Sequence, residues 1–330
     1  MALLEIKHLS IVLPVGGSMR PIIEDLSLEI EQGQSVGLVG ESGSGKTMTA
    51  RAIMGLLPEG AQLTGEILLD GQSVLRMDRH QRRQMRVNDV AMIFQDSRAH
   101  INPVRTIGDF LMETMIINHG YSKRAARSRS INLLEEVGLP QPEQQLRRYP
   151  HELSGGMLQR VMIASTLHSG AKLLLADEPT TALDVSIQSE VMALISELQI
   201  EHNLAMVLVT HDLDLAVSIC QNIAVLYAGT IMEMRTATDL YNDPLHPYSS
   251  ALAKCRPSIE QQSDRLVTIS GSPVSAFDAP KGCVFSDRCG HAVDTCKTER
   301  PAYTQRTDGS VRCHRADDLR GDLVPSIRWT

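Results

Sequence analysis

The amino-acid sequence predicts an α/β protein, and two observations carry that prediction. Short aliphatic and β-branched runs alternate with helical patterns over the first two thirds of the 330-residue chain. One continuous apolar run, SVGLVG at 35–40, leads directly into the glycine-rich stretch GESGSGKT at 40–47. A chain of this length can bury one large core and carry an appendage.

The elements follow in order from local patterns. Strands are predicted at the segments 22–30, 35–40, 65–71, 90–94, 172–177, 204–210 and 222–229. Helices are predicted at 48–57, 185–201 and 212–221, and a polar helical pattern predicts an inserted helical subdomain over about 103–160. After about Leu240 the proline and turn residues increase and the periodicity fades. We therefore expect a first domain at 1–240 and an irregular extension at 241–330.

Composition restricts the possible functions. The net charge is −7 and only 3% of residues are aromatic, which argues against a nucleic-acid partner. No apolar run approaches the ~18 residues that span a bilayer, and the first residues lack the features of a secretory signal. A cytosolic protein is therefore expected, in which disulfides are disfavoured.

The stretch GESGSGKT fits the phosphate-loop pattern G-x-x-x-x-G-K-[ST]. Its glycines let the backbone curl so that successive N–H groups face phosphate oxygens, and the following helix adds its dipole. Lys46 would reach the β- and γ-phosphates, and Thr47 could ligate Mg²⁺. The predicted nucleotide-binding residues of this loop are Gly40, Glu41, Ser42, Gly43, Ser44, Gly45, Lys46 and Thr47.

An acidic pair follows a second hydrophobic strand in LLLADEP at 173–179. The carboxyl end of such a strand is where α/β proteins bind ligands. Asp177 suits the Mg²⁺ shell, and Glu178 could act as the general base on the attacking water. Without a phosphate loop upstream, a helix N-cap would be the better explanation of this pair.

The stretch ELSGGMLQR at 152–160 resembles the signature of ATP-binding cassette (ABC) ATPases, with Met157 in place of the usual glutamine. Ser154, Gly155 and Gly156 would open a helix and present donors to an anion. The resemblance spans about residues 3–235. It implies a P-loop cassette with a RecA-like core, an antiparallel β subdomain and a helical subdomain.

Other segments resemble further landmarks of this family, in the expected order. MIFQDSRAHINP resembles the Q-loop, TTALD the D-loop and LVTHD the switch region. The resemblance assigns Gln95 to sensing Mg²⁺ and water, Asp184 to a dimer seam and His211 to the γ-phosphate. Leu13 stands where an aromatic ring that stacks on adenine is expected.

The family pairs two cassettes head to tail, so Lys46 and Ser154 would serve different ATP molecules. Finer similarity points to the peptide/nickel importer branch of this family. It lies in INPVRTIG, in HPYSSALAKCRP and in the extension at 241–330, which we call the tail. That similarity implies a paralogous ATPase partner, two transmembrane permeases and an extracytoplasmic solute-binding protein. It places the chain peripherally on the cytoplasmic face of the inner membrane. Ser97 and His100 depart from the family pattern beside Gln95.

Four of the six cysteines lie in the tail, at Cys283, Cys289, Cys296 and Cys313. Their C-x5-C-x6-C-x16-C spacing chooses neither zinc nor an iron–sulfur cluster. The family resemblance favours a [4Fe–4S] cluster, with zinc and free thiols or a labile disulfide as alternatives. Nearby basic residues are expected to favour thiolates, namely Lys281, Arg288, Lys297 and Arg312. Cys220 and Cys255 are predicted to be buried, inert thiols.

The resulting hypothesis is an ATPase that powers peptide import with ATP and Mg²⁺. One alternative is import of nickel or another small solute. Another is a soluble ABC ATPase whose zinc module acts on nucleic acid, which the acidic composition disfavours.

Overall fold

The structure is a computed structural model that describes residues 2–167, 170–181, 183–255 and 268–324. Its internal contacts divide the chain into two compact units. The first unit comprises Glu31–Gln34 and Arg76–Val207. The second comprises Ala2–Ile30, Ser35–Leu75 and the chain from Leu208 onward.

The strands and helices of the described residues are as follows. The strands are β1 (Ala2–Val15), β2 (Ser18–Glu31), β3 (Ser35–Val39), β4 (Gln62–Leu69), β5 (Gln72–Ser73), β6 (Val90–Ile93), β7 (Leu173–Asp177), β8 (Ala205–Thr210), β9 (Asn222–Tyr227), β10 (Thr230–Thr236), β11 (Thr304–Arg306) and β12 (Gly309–Val311). The helices are α1 (Lys46–Ile53), α2 (Arg79–Asn88), α3 (Ile107–His119), α4 (Lys123–Glu136), α5 (Pro142–Gln145), α6 (Gly155–Leu167), α7 (Val185–Glu201), α8 (Leu213–Ile219), α9 (Ala237–Asn242), α10 (Pro247–Lys254) and α11 (Asp294–Thr298).

The second unit contains an antiparallel sheet with strand order β2-β1-β4-β5. Strand β1 pairs with β4, with Leu4 opposite Leu69 and Ile6 opposite Ile67. The apolar side chains of β1 alternate with more exposed ones, because a strand points successive residues to opposite faces. This sheet is the predicted antiparallel β subdomain.

The phosphate-loop strand β3 lies in another sheet of the second unit. Every residue of β3 is buried, and β3 pairs in parallel with β9. Strand β9 continues through a tight turn at Ala228 and Gly229, both at positive φ, into antiparallel β10. Beyond β10 the sheet continues with β12 and then β11. The tail was predicted to be irregular, and its two strands were missed because each has only three residues.

The first unit holds the acidic-pair strand and the helical segment. Strand β7 pairs in parallel with β6, from Val90 opposite Leu173 to Ile93 opposite Ala176. Helices α3 to α5 and the start of α6 fall within the predicted helical segment. Thr106 and Ser122 cap α3 and α4 by accepting backbone N–H groups, as short hydroxyl side chains at this position do.

All seven predicted strands are present, with ends that differ by a few residues. In the part of the chain described, no helix is both long and apolar enough to cross a membrane.

Candidate functional site

The glycine-rich loop connects buried β3 to α1. Gly40, Gly43 and Gly45 have φ of 157°, 81° and 102°, a region that favours glycine. A Cβ on Gly40 would lie 2.1 Å from the carbonyl oxygen of Leu226, and a Cβ on Gly45 would lie 2.3 Å from a methyl group of Ile23. Gly40 therefore requires glycine for space as well as for backbone conformation, and Gly45 requires it for backbone conformation.

The loop curls around the ammonium group of Lys46. Lys46 Nζ donates to the carbonyl oxygens of Gly40 at 2.7 Å and Glu41 at 2.9 Å, and to Ser44 Oγ at 3.3 Å. Lys46 is the first residue of α1 and is 6% exposed. Thr47, in the same first turn, is half-buried. The structure thus places a cation and a helix N-terminus at one end of the loop, an arrangement that suits phosphate.

The acidic pair ends β7. Asp177 is buried at 3% exposure, and Glu178 is half-buried. Glu178 has a φ of 46°, which is strained for a residue with a side chain. Its Oε2 accepts hydrogen bonds from Gln95 Nε2 at 2.9 Å and from Thr181 Oγ1 at 2.8 Å. The structure therefore brings Gln95 and Glu178 together, across 83 residues of sequence.

His100, one of the two residues that depart from the family pattern after Gln95, makes contacts within its own loop. The His100 ring stacks on Phe94 with centroids 4.0 Å apart and planes 5° apart. His100 Nδ1 also lies 2.8 Å from the Asp96 carbonyl oxygen. His100 thus stabilises the turn of the loop itself.

The predicted signature segment begins α6. Ser154 is exposed, and its Oγ accepts the Met157 N–H at 3.3 Å. A Cβ on Gly156 would lie 2.7 Å from a methyl group of Ile187, so glycine permits close packing against α7. The predicted Ser-Gly-Gly opening of a helix is present.

The remaining predicted site residues begin or precede helices. Asp184 precedes α7 and is exposed. His211 directly follows β8 and is exposed, and the next residue, Asp212, caps α8 by accepting the Leu215 N–H at 3.0 Å. Leu13 is only 7% exposed within β1, so its side chain packs in the core rather than presenting an apolar face to a base.

The four tail cysteines are free thiols. Burial is the main cause that raises the pKa of Cys283 to about 12. The thiols of Cys313, Cys296 and Cys289 raise it by smaller amounts. Burial likewise raises the pKa of Cys313 to about 11 and that of Cys289 above its usual value. Among the residues that the structure describes, no group of three or more His, Cys, Asp or Glu side chains is arranged so that it could hold a metal ion.

The expectation that basic neighbours favour thiolates is wrong for Cys283, Cys289 and Cys313, whose thiol pKa values are all raised. Arg288 and Arg312 instead bind the carboxylates of Glu41 and Asp25. Desolvation therefore dominates the thiol pKa values. Of the two other cysteines, Cys220 is buried, with its pKa raised by burial to about 12, whereas Cys255 is only half-buried.

A phosphate loop that opens a helix and an Asp-Glu pair that ends a buried strand define a P-loop nucleoside triphosphatase. Comparisons with known proteins refine this class. Residues 23–181 match the ABC transporter family, and residues 232–296 match the C-terminal region of oligopeptide/dipeptide transporters. The chain resembles a dimeric bacterial ABC transporter cassette, MJ0796, with a TM-score of 0.64 and 26% identity, over 71% of this chain and 98% of that one.

Two relatives from Escherichia coli K12 match nearly the whole chain. The dipeptide transport ATP-binding protein DppD is 42% identical over 97% of this chain and 99% of its own length. The oligopeptide transport ATP-binding protein OppD is 39% identical over 94% of this chain and 92% of its own length. The chain therefore belongs to the ABC transporter family of ATPases, alongside the oligopeptide and dipeptide transport ATP-binding proteins. The predicted cassette fold is confirmed.

Proposed function

We propose that this chain is the ATP-hydrolysing subunit of a peptide importer, acting on di- or oligopeptides. One observation carries the proposal: similarity to peptide transport ATP-binding proteins runs through the cassette and the tail, over 97% of the chain in one case. A cassette shared with transporters of other solutes would leave the tail unaccounted for, whereas residues 232–296 match the peptide-transporter region. Residues 1–240 would form the nucleotide-binding domain and residues 241–330 the extension.

The proposed ATP chemistry divides among the residues described above. Lys46 and the N–H groups of residues 40–47 bind the phosphates, while Thr47 and Asp177 hold Mg²⁺. Glu178 accepts a proton from the attacking water, and its hydrogen bonds from Gln95 and Thr181 orient the carboxylate. His211 contacts the γ-phosphate.

In the proposed assembly, this chain works with a partner cassette, two permeases and a solute-binding protein. Ser154, Gly155 and Gly156 bind the ATP of a paralogous partner cassette, and Asp184 lies at the seam. Two permeases form the channel, an extracytoplasmic protein delivers the solute, and this chain binds the permeases from the cytoplasmic face of the inner membrane. ATP binding closes the pair, and hydrolysis reopens it.

Affinity purification of the chain from detergent-solubilised membranes tests this assembly. We expect a second ABC ATPase and two multi-span permeases to co-purify, and uptake of labelled di- and tripeptides to stop in cells that carry only the Glu178→Gln form. Cells with Glu201→Gln, an exposed acid at the end of α7, should retain uptake.

Two outcomes would contradict peptide import. Unchanged peptide uptake with loss of nickel or another solute would assign the transporter to that solute. Co-purification of nucleic acid without permeases would instead favour a soluble ATPase that acts on nucleic acid.

We further propose that Cys283, Cys289, Cys296 and Cys313 hold a [4Fe–4S] cluster. An all-thiol donor set suits iron–sulfur chemistry. The thiols of Cys289, Cys296 and Cys313 each contribute to the raised pKa of Cys283, which supports their lying near one another. Such a cluster would supply one-electron redox chemistry and cross-link the tail.

Anaerobic purification with iron, sulfide and zinc analysis and a visible spectrum tests the cluster. About four irons and four sulfides per chain are expected. Cys289→Ser should lose them, whereas Cys220→Ser, at a buried thiol outside the set, should keep them. Stoichiometric zinc without iron, or no metal, would refute the cluster.

A further inference from the structure

An ion pair joins the cysteine-bearing tail to the phosphate loop. Arg288, which directly precedes Cys289, donates from Nη1 to Glu41 Oε2 at 2.5 Å and from Nη2 to Glu41 Oε1 at 3.1 Å. The Arg288 side chain is 5% exposed and that of Glu41 is 23% exposed. A two-pronged pair this well shielded from water fixes both partners in distance and orientation.

Contacts with both the tail and strand β9 hold Arg288 independently of this pair. Arg288 Nε donates to the Ser270 carbonyl oxygen at 2.8 Å, and Nη1 donates to the Tyr227 hydroxyl at 3.2 Å. The guanidinium also lies 5.9 Å from the centroid of the Phe285 ring. These contacts fix the position of the Arg288 guanidinium in addition to its bonds with the Glu41 carboxylate.

Every polar group of Glu41 is engaged. Its N–H donates to the Tyr248 hydroxyl at 3.0 Å. Its carbonyl oxygen accepts from Lys46 Nζ at 2.9 Å and from the Ser44 N–H at 3.3 Å. The carboxylate and the backbone of one residue are thus both bonded, so Glu41 links Arg288 directly to the backbone that surrounds the Lys46 ammonium.

We propose that Arg288 is a positioning residue of the phosphate loop, through which the cysteine-bearing tail and ATP binding influence each other. The inference rests on the phosphate-binding role proposed for residues 40–47. Arg288 acts through Glu41 and touches no phosphate itself. By linkage, a tail that favours the ATP-binding form of the loop must in turn be stabilised when ATP binds.

Other contacts keep the tail in place when Arg288 is changed. Arg300 pairs with Glu24, and Arg312 Nη2 donates to Asp25 Oδ2 at 3.0 Å. Strand β12 also pairs with β10. A variant at Arg288 should therefore remain folded with a docked tail, so that its effect on ATP can be measured.

The experiment is a double-mutant cycle on the full chain, with binding of Mg²⁺ and the non-hydrolysable analogue AMP-PNP as the readout. Arg288→Gln and Glu41→Gln should each weaken binding on the order of tenfold, and the double variant should be no weaker than either alone. Arg288→Lys should recover part of the affinity. In the ATPase assay, KM should rise in the single variants with kcat nearly unchanged.

A matched control uses another two-pronged arginine of the tail. Arg306 pairs with Asp317, another tail residue, through both of its terminal nitrogens, so Arg306→Gln should bind AMP-PNP as the unmodified chain does. Hydrogen exchange supplies a readout in the other direction. AMP-PNP should slow exchange of the amides at 283–296 in the unmodified chain but not in Arg288→Gln.

Additive effects in the cycle, or exchange at 283–296 that does not respond to AMP-PNP in the unmodified chain, would overturn the inference. The Lys46→Ala variant distinguishes failure of the positioning role of Arg288 from failure of the proposed phosphate-binding role of the loop. If Lys46→Ala abolishes binding and Arg288→Gln does not weaken it, only the positioning role fails. If Lys46→Ala binds normally, the proposed role of the loop itself fails.

Discussion

Replacing Glu178 with glutamine is expected to lower the rate of ATP hydrolysis about 10²- to 10⁴-fold, the usual contribution of a general base, while ATP still binds. The amide matches the carboxylate in shape but cannot take a proton from water. Two hydrogen bonds to Oε2, from Gln95 and Thr181, already hold this side chain in one orientation. The amide oxygen can accept the same two bonds, so the geometry should persist. Phosphate release under saturating ATP, alongside nucleotide retained on the protein, measures both quantities.

Glu201→Gln is the control for Glu178→Gln, because it removes an acid of the same type from the exposed end of α7. Its turnover should equal that of the unmodified chain. Turnover within a few-fold of normal in Glu178→Gln would exclude Glu178 as the base. Loss of nucleotide binding in that variant would instead mean that the substitution disturbs the strained backbone at φ 46°.

Replacing Lys46 with alanine is expected to weaken ATP binding by about 100-fold or more, because the side chain supplies charge-assisted bonds to phosphate. The structure adds a second cause. Lys46 Nζ bonds two carbonyl oxygens and a hydroxyl of its own loop, so its removal takes away the group around which the loop curls. Calorimetric titration with Mg²⁺–ATP measures the loss.

Lys123→Ala, at an exposed lysine in the first turn of α4, serves as the control and should bind ATP normally. Thermal unfolding of both variants checks that the chain remains folded. ATP affinity that is unchanged in a folded Lys46→Ala protein would contradict a phosphate-binding role for this loop.

The phosphate loop could be predicted from sequence because its chemistry is local. The strand, the glycines and Lys46 lie within a dozen consecutive residues, and the curl they form depends mainly on their own backbone angles. The same holds for the acidic pair at the end of β7 and for the Ser-Gly-Gly opening of α6. The family resemblance then related these local motifs to one another.

Contacts between distant residues could not be predicted in this way. Arg288 and Glu41 are 247 residues apart, and the sequence around Arg288 suggested only a basic neighbour for thiolates. Burial, which decides the thiol pKa values here, is a property of the folded tail. Strand β1 was missed although it has 14 residues, since its alternation of buried and exposed side chains shifts by one residue at Lys7 and His8, where its pairing with β4 is irregular. Strands β11 and β12 have too few residues to form a pattern.

The pairing of β12 with β10 has a consequence for how the chain avoids aggregation. Without β12, the seven-residue strand β10 would present open N–H and C=O groups to other molecules, including the Met232 carbonyl oxygen that now accepts the Arg312 N–H at 2.8 Å. With the tail in place, the outermost strand of that side is β11, which has three residues, two of them exposed and polar. The cysteine-bearing tail thus covers the exposed edge of a seven-residue strand and leaves only the edge of a three-residue strand open to pairing on that side. A chain cut at residue 240 would be expected to self-associate through β10 even with every ATP-site residue intact.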